Sequence, residues 1–358
     1  MPFHRFENRE QKNLTPDDVA QTLRGTPYPT AKINGRPAAE LEIFFKTITY
    51  MKKPIMVGQV GLGIMGGAFA KHLLAAKFGV IGFDPDKKAR AALIKRGGDA
   101  AASGAVVARE CNVIITSLPS IKAMEAAFFG KDGIAAGARK GCIVIEASTM
   151  PIEVKQGIRE RCAAQGITVL DCPISGTGAQ AAAKDISVYA SGDAAAVKRC
   201  AAVFKGFARS MHYCGEFGNG SKLKFIANLL VTTHNLSAAE AMVMGLKSGL
   251  DLNLVYKVIK DGAGTSRMFE VRGPMMIKDD YRAATMKCEV YQKDIDIIGD
   301  FAAGLNIPVP LFEASKAYYS AALSQGFAKE DTGAVCAVLE RMAGNPRQQS
   351  KQRGRKKR

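Results

Sequence analysis

The stretch Pro54-Ile55-Met56-Val57-Gly58-Gln59-Val60-Gly61-Leu62-Gly63-Ile64-Met65-Gly66 decides the fold. The apolar run from Pro54 to Val60 reads as a buried strand, and Gly67 to Lys77 has helical spacing. Between them lies G-x-G-x-x-G. Gly61 permits a tight turn, Gly63 lets the backbone approach a pyrophosphate, and Gly66 allows close helix–strand packing. A helix opening at this point aims unpaired N–H groups and a partial positive charge at the phosphates. Together with Leu62, Ile64 and Met65 these glycines form the candidate dinucleotide loop. Asp84 closes the next strand, 23 residues after Gly61. A carboxylate there accepts from the adenosine ribose hydroxyls and repels a 2′-phosphate, so NAD is the expected cofactor. NADP stays open as the alternative, because Lys87, Lys88 and Arg90 follow closely.

Outward from this loop, strands and helices alternate. Val80 to Phe83, Val113 to Ser117 and Cys142 to Glu146 read as strands, with Thr168 to Leu170, Ile186 to Ala190 and Ser210 to Tyr213 as later candidates. Such alternation predicts a parallel sheet with helices on both faces. After Gly220 only helical patterns remain: Lys222 to Ser248, Leu252 to Asp261, Asp294 to Ala303 and Phe312 to Gln325. The expected fold class is therefore α/β: a Rossmann-type doubly wound dinucleotide-binding domain over 54–217, then an all-helical substrate and dimerisation domain over 218–344. Residues 1–53 read as a poorly ordered extension, with Met51 resembling a fresh start. Residues 345–358 read as a disordered basic tail.

The chain has 358 residues, 47% hydrophobic and 23% charged, which is ordinary globular composition. Its net charge of +17 invites a nucleic-acid reading, but residues 345–358 alone carry seven basic and no acidic side chains. Any nucleic-acid binding is expected to be weak and confined to that tail, and the mildly basic body suits a small anionic ligand. No apolar run is long enough to span a membrane, and the opening residues lack the apolar core of a secretory signal. Eight cysteines without a C-x-x-C pair argue against a disulfide framework or zinc site and suit a reducing cytoplasm. His4, His72, His212 and His234 form no spaced cluster, so no metal is expected.

Three further motifs stand in order behind the glycine loop. They are Asp171-Cys172-Pro173-Ile174-Ser175-Gly176-Thr177, the run from Gly218 to Asn228 with Lys224 inside it, and Lys293-Asp294. With the loop, they make the sequence from 54 to 343 resemble the β-hydroxyacid dehydrogenases, the family of 3-hydroxyisobutyrate dehydrogenase and tartronate semialdehyde reductase. The resemblance implies an NAD-dependent enzyme, homodimeric or homotetrameric, that interconverts a small 3-hydroxy acid and its semialdehyde or 3-oxo acid. It also places Leu118-Pro119, Ser148-Thr149 and Lys293 beside the cofactor, and Ser175, Gly176 and Thr177 on the substrate carboxylate. Three positions depart from the family pattern: Thr177 replaces a glycine, Ala227 an asparagine, and Lys184 a glycine usual in that segment.

The residues themselves favour the same chemistry. Lys224 and Asn228 are at i and i+4 and share a helical face, which Lys222 does not. Oxidising an alcohol requires a group that takes the hydroxyl proton, and a positioned amine can take it and return it in reverse. A free lysine is protonated at neutral pH, so burial or a second cation such as Lys293 must lower it. Asn228 would bond the substrate oxygen or orient the lysine. Two alternatives compete: a glyoxylate- or imine-type reductase of the same superfamily, and a non-enzymatic binding protein that uses the basic tail. Related imine reductases generally replace the lysine, so Lys224 weighs against the imine version, and non-enzymatic relatives lose it, so it weighs against a binding protein as the main role.

Overall fold

The computed structural model describes residues 32–33, 36–37 and 54–347. The chain divides into two units, Met1–Pro54 and Ile55–Arg358. In the first, Lys32–Ile33 pairs antiparallel with Arg36–Pro37. The remainder of the expected extension, and the tail beyond 347, lie outside the described residues.

The second unit opens with β1 (Met56–Val60), followed by β2 (Gly79–Phe83), β3 (Asp99–Ala100), β4 (Val113–Thr116), β5 (Ile143–Glu146) and β6 (Thr168–Asp171). They form one parallel sheet in the order β3-β2-β1-β4-β5-β6. The order reverses beside β1, which makes a crevice at the carboxyl ends of β1 and β4 where ligands bind in open α/β sheets. Five helices pack on this sheet: α1 (Ile64–Ala75), α2 (Lys87–Lys95), α3 (Gly104–Glu110), α4 (Ile121–Phe129) and α5 (Ile152–Ala163). Val57, Phe69, Leu73 and Ile145 are buried on one side, and Val60, Val107, Ile114 and Phe128 on the other.

The later strands do not extend this sheet. After β6 the chain bends at Pro173, which cannot donate to a ladder. β7 (Ile174–Ser175), β8 (Ser187–Ala190) and β9 (Ser210–Tyr213) make a separate three-stranded sheet, β8 antiparallel to β7 and parallel to β9. Three short helices, α6 (Gly178–Ala182), α7 (Ala194–Arg199) and α8 (Ala201–Phe207), connect it.

The second half is helical, as the sequence implies. Its axis is α9 (Asn219–Lys247), 29 residues long. Around it pack α10 (Leu252–Asp261), α11 (Arg267–Lys278), α12 (Cys288–Gly304), α13 (Pro310–Ser324) and α14 (Val335–Met342). The sequence reading missed α11 and α14 and began α12 six residues late. Pro274 conceals α11, since an interior proline normally interrupts a helix. It removes the N–H that would reach the Glu270 carbonyl, and the Tyr256 hydroxyl donates to that carbonyl instead, at 2.9 Å.

Arg347, read from sequence as part of the tail, is bound to the body. It pairs with the buried carboxylate of Glu340. It also donates to the Met276 and Ile277 carbonyls at the end of α11.

Candidate active site

The glycine loop fits a dinucleotide. Gly61 has φ +87, and a Cβ there would overlap the Ser117 carbonyl. A Cβ at Gly66 would overlap the Gly61 carbonyl, so α1 can start against the loop only with glycine at that position. A Cβ at Gly63 would meet nothing within 4 Å, which leaves open space where a phosphate would approach the backbone. Gly63 is also the N-cap of α1 and supplies no side-chain cap. Leu62, Ile64 and Met65 complete the turn. Gln59, a buried amide on β1 that the sequence reading passed over, pins the loop by donating to the Gly61 carbonyl at 2.9 Å. Asp84 reaches the same loop: its Oδ2 accepts the Leu62 N–H at 2.7 Å and its Oδ1 the Asp86 N–H at 2.8 Å. Arg90 spends its guanidinium on the Asp84 and Pro85 carbonyls.

At the ends of β4 and β5, Leu118-Pro119 and Ser148-Thr149 are tied together. Ser148 Oγ accepts the Leu118 N–H at 2.9 Å, and the Ser148 N–H goes to Glu146 Oε1 at 2.9 Å. Lys293 on α12 donates to the Thr149 carbonyl and pairs with Asp294 at 2.8 Å.

Beneath these loops lies a buried ion cluster with no sequence signal beyond the aspartate heading its motif. Lys155 on α5 sits between Glu146 at 2.6 Å and Asp171 at 2.7 Å, all three buried. Burial works to lower the Lys155 ammonium, but the Asp171 and Glu146 carboxylates outweigh it and hold it above its ordinary range. Asp171 also accepts the Ser221 N–H and Ser221 hydroxyl, each at 2.8 Å, while Ser191 Oγ accepts the Gly220 N–H at 3.0 Å. The cluster thus fixes the strand ends on the cofactor side and caps α9 three residues before Lys224.

Lys224 lines a cavity of about 260 Å³ with Ser175, Gly176, Thr177 and Asn228, so five of the residues singled out from sequence converge there. Lys224 is 9% exposed, and its ammonium has no hydrogen bond or ion pair among the described residues. Burial lowers it from 10.5 to about 8; the Asp294 carboxylate opposes that fall and the Lys293 ammonium adds to it. Asn228 Nδ2 donates to Asp294 Oδ2 at 2.9 Å, which leaves its Oδ1 to accept from a ligand or from Lys224. One carboxylate, Asp294, therefore positions both Asn228 and Lys293. Lys222 lies off this face, exposed and bonded to Asn219 at 3.2 Å.

Thr177 has part of its hydrogen-bonding capacity already in use. Its backbone N–H is already taken by Gln180 Oε1 at 3.0 Å, and its hydroxyl accepts the Gln180 N–H at 3.4 Å, a capping box that starts α6. Only its hydroxyl proton remains to offer a ligand, whereas the Ser175 hydroxyl makes no hydrogen bond among the described residues. The sequence reading also missed Arg267, Arg272, His234 and Tyr291 in the cavity wall, because residues from separate helices meet only in the folded chain. A second cavity, about 300 Å³, lies between the start of α5, Phe225 of α9 and α12, and contains none of the candidate catalytic or binding residues. Among the described residues no group of His, Cys, Asp or Glu could hold a metal, and no helix is long and apolar enough to cross a membrane.

Comparison with known proteins identifies the family and the fold. Residues 56–215 match the family described as the NAD binding domain of 6-phosphogluconate dehydrogenase. Residues 218–339 match the one described as NAD-binding of NADP-dependent 3-hydroxyisobutyrate dehydrogenase. The chain is 35% identical to an L-threonate dehydrogenase of Cupriavidus necator over 79% of its own length and 95% of the relative's. A solved 3-hydroxyisobutyrate dehydrogenase from Salmonella typhimurium superposes with TM-score 0.73 at 31% identity, covering 79% of this chain and 99% of that one. Psf3, solved with NADP+ and 2-OPP, superposes with TM-score 0.73 at 25% identity, covering 79% of this chain and 99% of that one.

Proposed function

The chain belongs to the β-hydroxyacid dehydrogenase family and is an NAD(P)-dependent oxidoreductase, and we propose that it interconverts a small 3-hydroxy acid and its semialdehyde or 3-oxo acid with Lys224 as general acid–base. The observation that carries this reading is the unpaired, buried Lys224 ammonium, lowered to about 8 beside Asn228 in the cavity.

In the direction of oxidation, the neutral Lys224 amine takes the proton of the substrate hydroxyl as the carbonyl forms. In reduction, the ammonium returns it. The bound nicotinamide supplies the acceptor or donor of hydride. Asn228, held at its amide nitrogen by Asp294, would orient the lysine through Oδ1 or donate its second Nδ2 proton to the substrate oxygen. The Ser175 hydroxyl and the Gly176 backbone would hold the substrate carboxylate, with Thr177 restricted to its hydroxyl. The loop Gly61–Gly66 would carry the pyrophosphate. Leu118, Pro119, Ser148, Thr149 and Lys293 would border the nicotinamide half. Asp84 supports a preference for NAD, and Arg90, which follows it with Lys87 and Lys88, has its Nη1 engaged with the Asp84 and Pro85 carbonyls.

Eight unpaired cysteines suit a reducing cytoplasm. A homo-oligomer is supported by an exposed apolar stripe on α9. Leu223, Ile226 and Leu230 are 42%, 55% and 46% exposed at i, i+3 and i+7. The deciding experiment is a 340 nm assay of 3-hydroxy acids and semialdehydes with NAD and NADP, run on the unmodified chain and on Lys224→Ala. Turnover that survives the substitution refutes the proposal.

A further inference from the structure

Helix α9 carries Lys224 but does not cap itself. Its N-cap, Gly218, has φ +95 and offers no side-chain acceptor. Two N–H groups of its first turn are met from elsewhere in the chain. Ser191 Oγ accepts the Gly220 N–H at 3.0 Å, and Asp171 Oδ2 accepts the Ser221 N–H at 2.8 Å. Asp171 Oδ1 accepts the Ser221 hydroxyl, also at 2.8 Å, so one carboxylate grips Ser221 twice. Its negative charge lies where the helix dipole is positive. A Cβ on Gly220 would overlap the Tyr189 and Asp171 carbonyls, so the helix starts in direct contact with the ends of β6 and β8.

The same Asp171 begins the segment that ends at the substrate turn, and that segment is laddered. Asp171 exchanges backbone hydrogen bonds with Ser191, at 3.0 and 2.8 Å, and Ile174 and Ser175 pair with Val188 and Ser187 in the same antiparallel register. The Ser191 hydroxyl donates to the Asp171 carbonyl at 3.0 Å, and the buried Lys155 ammonium holds Asp171 Oδ1 at 2.7 Å. From this one residue, Ser175 lies four positions along a paired segment, and Lys224 lies three positions beyond Ser221 on the helix. In a 3-hydroxy acid the hydroxyl stands at a set separation from the carboxylate. The group that takes its proton must therefore stand at a matching distance from the turn that holds the carboxylate, and a displacement of about 1 Å can cost on the order of 10²-fold in rate.

We propose that Asp171 is a positioning residue for proton transfer: through Ser221 and Ser191 it sets the first turn of α9, and with it Lys224, at a fixed place relative to Ser175 and Gly176. This rests on the reading of Lys224 as general acid–base. Ser191→Ala and Ser221→Ala each remove one hydroxyl from the linkage and leave Glu146, Lys155 and Asp171 in place. Asp294 and Lys293, the charged groups that act on Lys224, belong to α12 and are untouched by either change. Both variants should melt cooperatively and bind NAD as the unmodified chain does, while kcat falls about ten- to a hundredfold. The pH midpoint of kcat should rise from about 8 toward that of a free lysine, because a displaced Lys224 regains hydration. The same midpoint can be read without turnover, by acetylating the full chain with acetic anhydride at a series of pH values and following the Lys224 peptide by mass spectrometry. It should rise there too. An unchanged kcat and midpoint in either variant, or a loss of rate that only follows the folded fraction or NAD occupancy, would overturn the proposal. Failure of both variants to melt cooperatively would make the two hydroxyls structural and overturn it as well. The acetylation midpoint is independent of catalysis, so it distinguishes this outcome from a failure of the acid–base reading, which the Lys224→Ala assay tests.

Discussion

Lys224 combines two properties that follow from one placement. An ammonium without a partner inside a cavity loses hydration, so it deprotonates about two decades below a free lysine. The pH dependence follows directly. Oxidation needs the neutral amine, so its rate should rise through pH about 8 to a plateau; reduction needs the ammonium and should fall over the same range. Stopped-flow or steady-state profiles in both directions check this, and Lys224→Ala should flatten both while lowering kcat about 10²–10⁴-fold. Lys222→Ala should leave the rate nearly unchanged, and Lys224→Arg should be nearly inactive because arginine does not release its proton in that range. The same shift affects stability. Because the folded form binds the proton less tightly than the unfolded chain, stability rises with pH from about 8 to 10.5, and the cost is fully present below 8. Lys224→Met should therefore stabilise the protein at pH 7 by on the order of 1–3 kcal/mol, with no gain near pH 11. A second residue-scale strain sits at Lys184, where the family pattern has glycine and the backbone has φ +63. Lys184→Gly should raise stability by about 0.5–1 kcal/mol in urea melts, since a side chain is disfavoured in that region.

Among the elements, α9 and the carboxyl ends of β4, β5 and β6 depend on one buried charge cluster. Glu146, Lys155 and Asp171 leave water together, and their mutual pairing offsets that loss only while all three remain. Lys155→Met should destabilise the chain by about 3–5 kcal/mol, because two buried carboxylates would be left facing each other. Thermal unfolding followed by circular dichroism measures it, and a change below about 1 kcal/mol would show that the carboxylates simply take up protons. The start of α1 has a different dependence. Gly66→Ala should impair cofactor binding, because the added Cβ overlaps the Gly61 carbonyl and pushes the phosphate loop away from the helix.

For the whole molecule, the role proposed for Asp84 leads to a prediction about cofactor choice. NAD(H) should bind more tightly than NADP(H), and Asp84→Ala should narrow the gap in fluorescence titrations. The central strand β1 is paired on both sides within the second unit. A chain beginning at Met51 should accordingly keep its melting temperature and cofactor affinity. At the other end, any nucleic-acid binding should be steeply salt-dependent and lost on removing residues 348–358. That deletion spares Arg347, whose bond to Glu340 belongs to the folded body.

The sequence by itself determined the α/β class with its parallel sheet and the helical second half, and it singled out the glycine loop and Lys224 as candidates. Each is written in local spacing: alternation of strand and helix, glycines where a Cβ would collide, and a lysine and asparagine one turn apart. Even the Lys184 departure was visible before its backbone angle. Only the tertiary structure decided the rest. Lys155 joins Glu146 and Asp171 from separate elements, Arg267 and His234 meet in one cavity from separate helices, and α11 persists through Pro274 because Tyr256 from another helix takes the orphaned carbonyl. The second sheet and the internal use of the Thr177 N–H were likewise invisible. Local periodicity records which face of an element is apolar; it does not record which distant side chain will arrive to satisfy a buried charge or a free backbone group.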